Sequence, residues 1–232
     1  MELIWEGFTQ AFFLLIRGDA EVLQITALSL RVSGIATFIS LGIGMPLGTF
    51  LAFGHIPARK FWLSIINTGM ALPPVVVGLA VSIFLWRSGP LGSLRWMYTP
   101  IAMIIAQTII AVPVITGLTA SALQQLDPRL SLQLQGLGAS RGQVVFALWW
   151  QARLPLFAAI MAGFGSVISE VGASMMVGGN IRYQTRVLTT AIVLENSRGA
   201  FAIAIALSIL LLLLAYAVNM ILTWVQQKKS NE

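Results

Sequence analysis

Residues 134–155 read LQGLGASRGQVVFALWWQARLP and form the longest amphiphilic interruption in an otherwise apolar chain. Gly136 and Gly138 allow a sharp bend at low steric cost, and Ser140 can cap a helix that follows the bend. The pattern predicts a helix, a glycine bend and a second helix over residues 127–153. A mere connecting loop is the alternative, but it could be much shorter and would need no apolar face, so we expect this hairpin to dock against another protein.

The first helix of this hairpin has a recognisable start. The Asp127 carboxylate can cap backbone amides, and Pro128 suits a first helical position, where its missing N–H has no intrahelical partner. Leu130, Leu134 and Leu137 continue one apolar stripe at helical spacing. The hairpin is therefore expected to have one apolar side and one polar side.

The composition places the chain in a membrane. Of its 232 residues, 57% are hydrophobic and 9% are charged, whereas soluble domains carry about a quarter of charged residues. The net charge of +6 suits loops that contact anionic lipid headgroups. Nucleic-acid binding is disfavoured because no cluster of basic residues exceeds two. The absence of cysteine excludes disulfides and thiolate metal sites.

Five segments are long and apolar enough to cross a bilayer, which requires about 20 residues. They comprise residues 22–53, 61–86, 98–123, 155–177 and 200–224. The segment 1–17 is too short to cross, and its apolar residues recur at helical spacing, so it is predicted to be an interfacial helix. A sixth span is the alternative for that segment. The predicted fold is an all-α membrane protein with one transmembrane domain over residues 1–232.

An odd number of spans places the two termini on opposite sides of the membrane. Counting Lys and Arg gives seven on one side and six on the other, so the positive-inside rule leaves the orientation open. Five helices barely enclose a pathway for a solute, so we expect a homodimer with two-fold symmetry.

Polar residues inside the predicted spans are candidates for the lining of a translocation pathway. The candidates are Asn67, Thr68, Pro73, Pro74, Ser166, Ser169, Glu170 and Ser174. In the predicted span 155–177, Gly163, Ser166, Glu170 and Ser174 fall on one small, polar face; simple helix packing is the alternative explanation of that stripe. A carboxylate in lipid needs a partner, and the depth of Arg31 predicts an ion pair between Arg31 and Glu170, within one chain or across a dimer.

Three further arginines, Arg182, Arg186 and Arg198, lie in the loop between the fourth and fifth predicted spans. They are candidates for attracting an oxyanion or for contacting an acidic lobe of a binding protein. A solvated loop with scattered charges is an equally good explanation.

The hairpin motif resembles the cytoplasmic EAA loop of bacterial ABC importer permeases. LGASR at residues 137–141 matches the common form of that loop, with Gly138 as its glycine and Leu154–Pro155 as its closing pair; Leu132–Leu134 stand where the family has E-A-A. The resemblance implies a type I ABC importer transmembrane domain in a prokaryotic inner membrane. It also implies a cytoplasmic hairpin and C-terminus and an external N-terminus. The residues that would contact the ATPase are Leu137, Gly138, Ala139, Ser140, Arg141 and Gly142.

A second resemblance concerns the substrate. Residues 164–192, FGSVISEVGASMMVGGNIRYQTRVLTTAI, are similar to the corresponding region of molybdate and sulfate permeases and especially of tungstate permeases. This resemblance implies import of a tetrahedral oxyanion, with tungstate first and molybdate or sulfate next. The implied partners are two ATPase subunits, an extracytoplasmic oxyanion-binding protein and a second copy of the chain.

The chain itself has no nucleotide-binding phosphate loop and no cluster of catalytic or metal-ligating residues. ATP with Mg²⁺ is therefore expected to be hydrolysed by a partner, and no cofactor is expected in this chain. Three alternatives remain: an importer of another small solute such as an amino acid, a passive channel or secondary carrier, and an intramembrane enzyme. The last is disfavoured because no nucleophile has a matching base.

Overall fold

The structure is a computed structural model that describes residues 5–7, 9, 13, 19–54 and 57–228, and its regular elements are all helical. The predicted interfacial helix, residues 1–17, therefore lies largely outside the described residues. The described part of it includes Trp5, Glu6 and Gly7, which are helical. Gly7 lies directly against Ile205, so this segment is in contact with the last helix of the chain.

The helices follow one another along the chain with short connections. They are α1 (Ala20–Phe53), α2 (Arg59–Met70), α3 (Pro74–Leu85), α4 (Pro100–Gln124), α5 (Pro128–Gly136), α6 (Arg141–Gln151), α7 (Arg153–Ile168), α8 (Gly172–Gly178), α9 (Leu188–Ser197) and α10 (Phe201–Lys228), with a 3-10 turn at Gly92–Leu94. Among the described residues, α1, α4 and α10 are each long and apolar enough to cross a membrane alone. They occupy three of the five predicted spans.

The centre of the fold is α4, which packs along α1 and also contacts α7, α2 and α8. The crossing of α1 and α4 is unusually close at Gly48, where a Cβ atom would lie 2.6 Å from the carbonyl oxygen of Thr116 and 2.7 Å from Cβ of Thr119. In lipid, helices associate through such small residues because no hydrophobic driving force acts between them.

The second predicted span, residues 61–86, is two helices and not one. α2 and α3 are 12 residues each and meet at an angle of 95°. The bend falls at Ala71–Pro73, where Pro73 and Pro74 remove two amide donors that a continuous helix would use. The predicted proline break is present, and it turns the chain much further than a kink in a straight crossing would.

The fourth predicted span, residues 155–177, is also broken, and its prediction as one continuous span was wrong. α7 ends at Ile168 and α8 begins at Gly172. Because Glu170 lies inside the break, the polar stripe that a continuous helix would create from Gly163 to Ser174 does not exist as one helix face.

The two ends of the helix assembly can be told apart by their contacts. At the hairpin end, Ala52 and Phe53 of α1 pack on the hairpin formed by α5 and α6. At the loop end, the Tyr98 amide donates to the carbonyl of Val177 at 2.9 Å, and Gln24 Nε2 donates to the carbonyl of Tyr183 at 3.0 Å. The loop end thus gathers the start of α1, the α3–α4 connection and the α8–α9 connection.

Candidate functional site

The hairpin is built by local capping, as its sequence predicts. Asp127 Oδ1 accepts from the amide of Arg129 at 2.9 Å at the start of α5. Ser140 and Gln143 cap α6 reciprocally: the Ser140 amide donates to Gln143 Oε1 at 2.8 Å, and the Gln143 amide donates to Ser140 Oγ at 3.4 Å. The turn between the helices is at Gly138, whose φ of +84° is in the left-handed region that favours glycine.

Only one of the two candidate glycines makes the bend. Gly136 is the last residue of α5 and remains helical, whereas Gly138 follows it with positive φ. The left-handed residue lets the Ala139 amide return to the carbonyl of Leu134 at 3.0 Å, which closes the end of α5.

One side of α6 fixes the hairpin to the membrane helices. Val144 and Leu148 are buried in a cluster with Leu123 of α4. In addition, Trp149 Nε1 donates to Thr49 Oγ1 of α1 at 2.8 Å. No sequence pattern predicts this hydrogen bond, because it joins residues that are 100 positions apart. The hydrogen bond attaches α6 to α1, whose first residues lie at the loop end.

The other side of the hairpin leaves large apolar side chains in solvent. Leu137 is 84% exposed and Leu132 is 67% exposed. Phe146 and Trp150 line a groove of about 520 Å³ between α5 and α6, together with Leu130, Leu134, Ala147 and Gln151. Exposed apolar surface of this kind outside the lipid-facing helices marks a contact site for another protein.

The predicted ATPase-contacting residues are grouped at the tip of this hairpin. Leu137, Gly138, Ser140, Arg141 and Gly142 are exposed, and the neighbouring Ala139 is partly buried. Their role as contacts stays a prediction, and their exposure is compatible with it.

Glu170 is the buried acid of the protein interior, with 5% of its surface exposed. Its carboxylate accepts from the amides of Ala173 and Ser174, at 2.7 and 2.9 Å, and from Ser174 Oγ at 2.8 Å. Gln107 of α4 extends this network, donating through Nε2 to Ser174 Oγ at 3.3 Å. The carboxylate therefore satisfies amides at the start of α8 that the helix itself cannot.

The predicted ion pair between Arg31 and Glu170 is wrong within one chain. In the described part of the chain, Arg31 forms no ion pair with Glu170, whose oxygens are occupied by α8. Arg31 is exposed instead, and it lines a cavity of about 340 Å³ at the loop end with Gln24 and Tyr183. A satisfied N-terminal cap removes the need for a cationic partner.

The pathway candidates fall at the two helix breaks. Asn67 and Thr68 are exposed on α2 beside a shallow recess of about 580 Å³, and Pro73 and Pro74 are exposed at the bend. Ser166 of α7 is partly buried, Ser169 just after α7 is exposed, and Glu170 in the break and Ser174 of α8 are buried. Their role as pathway residues stays a prediction.

The structure brings these two breaks together. A Cβ atom on Gly172 would lie 2.7 Å from Cγ2 of Val75, and one on Gly78 would lie 2.7 Å from Cα of Ala173. The start of α3 therefore packs directly on the start of α8. This contact between two interrupted helices was not foreseen from the sequence, which predicted the proline break but not the break after α7.

The three loop-end arginines that were candidates for partner contacts already have acidic partners. Arg182 Nε donates to Glu21 Oε1 at 2.9 Å, and Arg186 Nη1 lies 3.4 Å from the same oxygen. Arg198 Nη1 lies 3.0 Å from Glu195 Oε1. The hydrogen bond to Glu21, with the charge of that carboxylate, raises the pKa of Arg182 above its ordinary value.

Comparison with known sequences identifies relatives over nearly the whole chain. A family profile described as binding-protein-dependent transport system inner membrane component matches residues 44–231. The chain is 39% identical over 228 residues to the tungstate uptake system permease protein TupB of Peptoclostridium acidaminophilum, covering 98% of this chain and 100% of that protein. It is 34% identical to TupB of Campylobacter jejuni, covering 95% and 92%. The molybdenum transport system permease protein ModB of Escherichia coli K12 is 27% identical, covering 73% and 77%.

Solved structures share the fold at lower identity. A chain of the methionine ABC transporter MetNI, in inward-facing conformations, has a TM-score of 0.71 at 21% identity, covering 94% of this chain and 96% of that one. A chain of a bacterial alginate ABC transporter, in complex with its pentasaccharide-bound periplasmic protein, has a TM-score of 0.76 at 18% identity, covering 97% and 86%.

Proposed function

This chain belongs to the family of binding-protein-dependent transport system inner membrane components, and on that premise we propose that it is the permease subunit of an ATP-driven tungstate importer. The observation that carries the proposal is the capped, glycine-bent hairpin with its exposed apolar side, set on a membrane-embedded helix assembly. The chain itself contributes translocation and coupling, and ATP is hydrolysed by separate subunits.

The oxyanion substrate is inferred from sequence similarity over the full chain. Two relatives above 30% identity are named as tungstate uptake permeases, and the molybdenum permeases are more distant. The solved structures of the methionine and alginate transporters share the fold at 21% and 18% identity and carry no argument about substrate. Tungstate is therefore favoured over molybdate, and both are favoured over an amino acid.

The proposed assembly contains two copies of this chain, two ATPase subunits and an external binding protein. The hairpin end faces the cytoplasm and contacts the ATPase through residues 137–142, which places the loop end outside. The chain would then end in the cytoplasm. A homodimer supplies the second half of a pathway that one copy does not enclose.

The coupling step that we propose uses the rigid attachment of the hairpin. Closure of the ATPase subunits draws the two hairpins together. Through the Trp149–Thr49 hydrogen bond and the buried cluster around Leu148, that movement would be passed to α1 and α4. The helix assemblies then rotate as rigid bodies and open the pathway to the outside.

Transport by the reconstituted assembly tests this function. Proteoliposomes containing the permease and its ATPase, supplied with the binding protein, are expected to accumulate tungstate only when ATP is enclosed. Molybdate and sulfate serve as competitors, and histidine or methionine as unrelated solutes. Tungstate uptake without the ATPase would favour a channel or secondary carrier, and uptake of an amino acid in its place would reject the oxyanion assignment.

A further inference from the structure

The loop end carries a concave arginine-lined cavity that no part of the proposed coupling uses. It has a volume of about 790 Å³ and lies in the connection between α3 and α4. The side chains that matter for its chemistry are Arg87, Arg95, Ser93, Trp86 and Tyr98. We propose that Arg87 and Arg95 form an entry site that binds the tetrahedral oxyanion itself on the outer face of the permease, an inference that rests on the proposed function.

Charge accounting at this end singles out these two arginines. At this end, Glu21 pairs with Arg182 and Arg186, and Glu195 pairs with Arg198. Neither Arg87 nor Arg95 makes an ion pair or a side-chain hydrogen bond with any residue that the structure describes. Two guanidinium groups that have no acidic partner among the described residues thus line one cavity.

The connection that presents these arginines is tightly built. Its amides are used internally: Leu91 donates to the carbonyl of Phe84 at 3.0 Å, and Arg95 donates to that of Gly92 at 3.2 Å. A Cβ atom on Gly92 would lie 2.5 Å from the carbonyl oxygen of Arg87, so the turn closes around a position without a side chain. The two arginines are therefore held in a fixed relation by the backbone.

Two residues of the same segment have strained backbone conformations. Arg95 and Tyr98 have φ of +53° and +61°, a region that residues with side chains seldom adopt. Such conformations persist where the surrounding structure enforces them, and they cluster at ligand sites. Here the strained segment is anchored by the amide of Tyr98 on the carbonyl of Val177, so the cavity adjoins the C-terminal end of α8.

The chemistry of the cavity favours a small dianion over an acidic side chain of a protein. Each guanidinium offers a planar fork that matches two oxygens of a tetrahedral oxyanion, and two guanidinium charges balance the two charges of tungstate or molybdate. Arg87 and Arg95 are both exposed, so a solute can reach them, and unlike the arginines paired with Glu21 and Glu195 they are not engaged by an acid of the described residues.

Direct retention of tungstate tests the site without transport. The permease–ATPase complex in nanodiscs, with no binding protein, is dialysed against tungstate at low ionic strength, and the retained tungsten is measured by elemental analysis. We expect saturable retention that molybdate displaces and that salt weakens. Since a charge-assisted hydrogen bond contributes about 1.5–3 kcal/mol, R87Q and R95Q should each weaken retention roughly tenfold or more.

Two matched variants sharpen the result. R198Q removes the same charge from the same end of the molecule but from an existing ion pair, and it should leave retention unchanged. The double variant R87K/R95K keeps both charges but loses the guanidinium forks, so it should retain tungstate less well than the wild-type complex and better than R87Q/R95Q.

Three results would overturn the entry site. The first is that the wild-type complex retains no tungstate, and the second is that R87Q/R95Q retains as much tungstate as the wild-type complex. The third is that the variants lose only their affinity for the loaded binding protein, which would assign the arginines to protein docking. Failure of the proposed function is separate, because it would appear as a wild-type transporter that takes up no tungstate in proteoliposomes. Uptake by the wild-type transporter without retention by its permease–ATPase complex rejects the entry site alone.

Discussion

The hairpin end and the loop end of this protein are held by different forces. At the hairpin end, α6 packs through buried Val144 and Leu148 while Leu137 and Phe146 stay exposed. At the loop end, charged side chains are prominent in the connections, and Glu21 receives two arginines. Among the described residues, the ion pairs thus lie at the loop end, whereas the tip of the hairpin presents large apolar side chains without ion pairs.

This difference corresponds to the lifetimes of the contacts that each end would make. Apolar docking surfaces with central anchor side chains suit a subunit that stays bound through many cycles. Charged surfaces speed association and respond to salt, which suits a solute or a binding protein that arrives and leaves. The chain would therefore keep the ATPase bound tightly and bind the transported solute only briefly.

The largest effect is expected from a substitution at the close crossing of α1 and α4, the helices that connect the two ends. In G48L, the new side chain would meet the carbonyl oxygen of Thr116, which lies 2.6 Å from the Cβ position. Overpacking of this kind costs about 3 kcal/mol or more when backbone must move. SDS-induced unfolding of the purified permease measures the loss.

Gly34 provides the matched control for that variant. It lies in the same helix, and no atom is within 4 Å of its Cβ position, so G34L should unfold close to the wild-type SDS concentration. Equal destabilisation of both variants would mean that the helix resists leucine everywhere and that the close crossing with α4 has no special importance.

The next effect concerns the hairpin end alone. Leu137 is 84% exposed and is not part of the buried core of the permease, so L137D should leave the unfolding of the permease unchanged. Because an anchor side chain at an interface contributes about 2 kcal/mol, the variant should bind the ATPase about thirtyfold more weakly. Affinity is measured by titrating the ATPase subunit onto permease in nanodiscs.

Gln135 offers the control for the added charge. It is exposed in the same hairpin, and Q135D introduces the same carboxylate without removing an apolar side chain. If Q135D weakened ATPase binding as much as L137D, charge and not apolar contact would control docking, and the contrast between the ends would be lost.

The sequence predicted the features that depend on neighbouring residues. Asp127, Ser140 and Gly138 act within a few positions of themselves, through caps and a left-handed turn, and the hairpin formed where the pattern placed it. The bend at Pro73–Pro74 was likewise predicted, because proline removes an amide donor wherever it stands. Apolar composition alone gave the three long spans.

Features that depend on distant contacts were not predictable in the same way. Residues 155–177 read as one apolar run, and the break appeared only because Glu170 caps α8. The Trp149–Thr49 hydrogen bond joins segments that no sequence pattern pairs. At the loop end, the number of charges does not predict which arginines pair with Glu21 and which line a cavity. The conformation of the folded connections decides this.

A smaller effect tests the attachment of the hairpin to α1. W149F keeps an aromatic ring but removes the donor to Thr49 Oγ1, and a single hydrogen bond contributes about 1 kcal/mol. We expect a modest loss in SDS resistance and a lower ratio of tungstate transported to ATP hydrolysed. T49V also removes the hydrogen bond from Thr49 Oγ1 to the carbonyl of Met45, so the test is the coupling in a double-mutant cycle. The loss in W149F/T49V should be smaller than the sum of the two single losses; additive losses would show that the two side chains act independently.

The smallest effect is expected from the ion pair at the loop end. Arg182 and Glu21 are joined by two hydrogen bonds, but more than half of the Arg182 side chain is exposed, so solvent screens the pair and its contribution to stability is small. A double-mutant cycle of E21Q, R182Q and E21Q/R182Q in SDS unfolding should return a small coupling that disappears at high salt. A larger coupling that persists in salt would mean that the loop end is held as firmly as the hairpin end.

E21Q also frees Arg182 and Arg186, so it should increase tungstate retention at low salt if the loop end attracts anions through unpaired arginines.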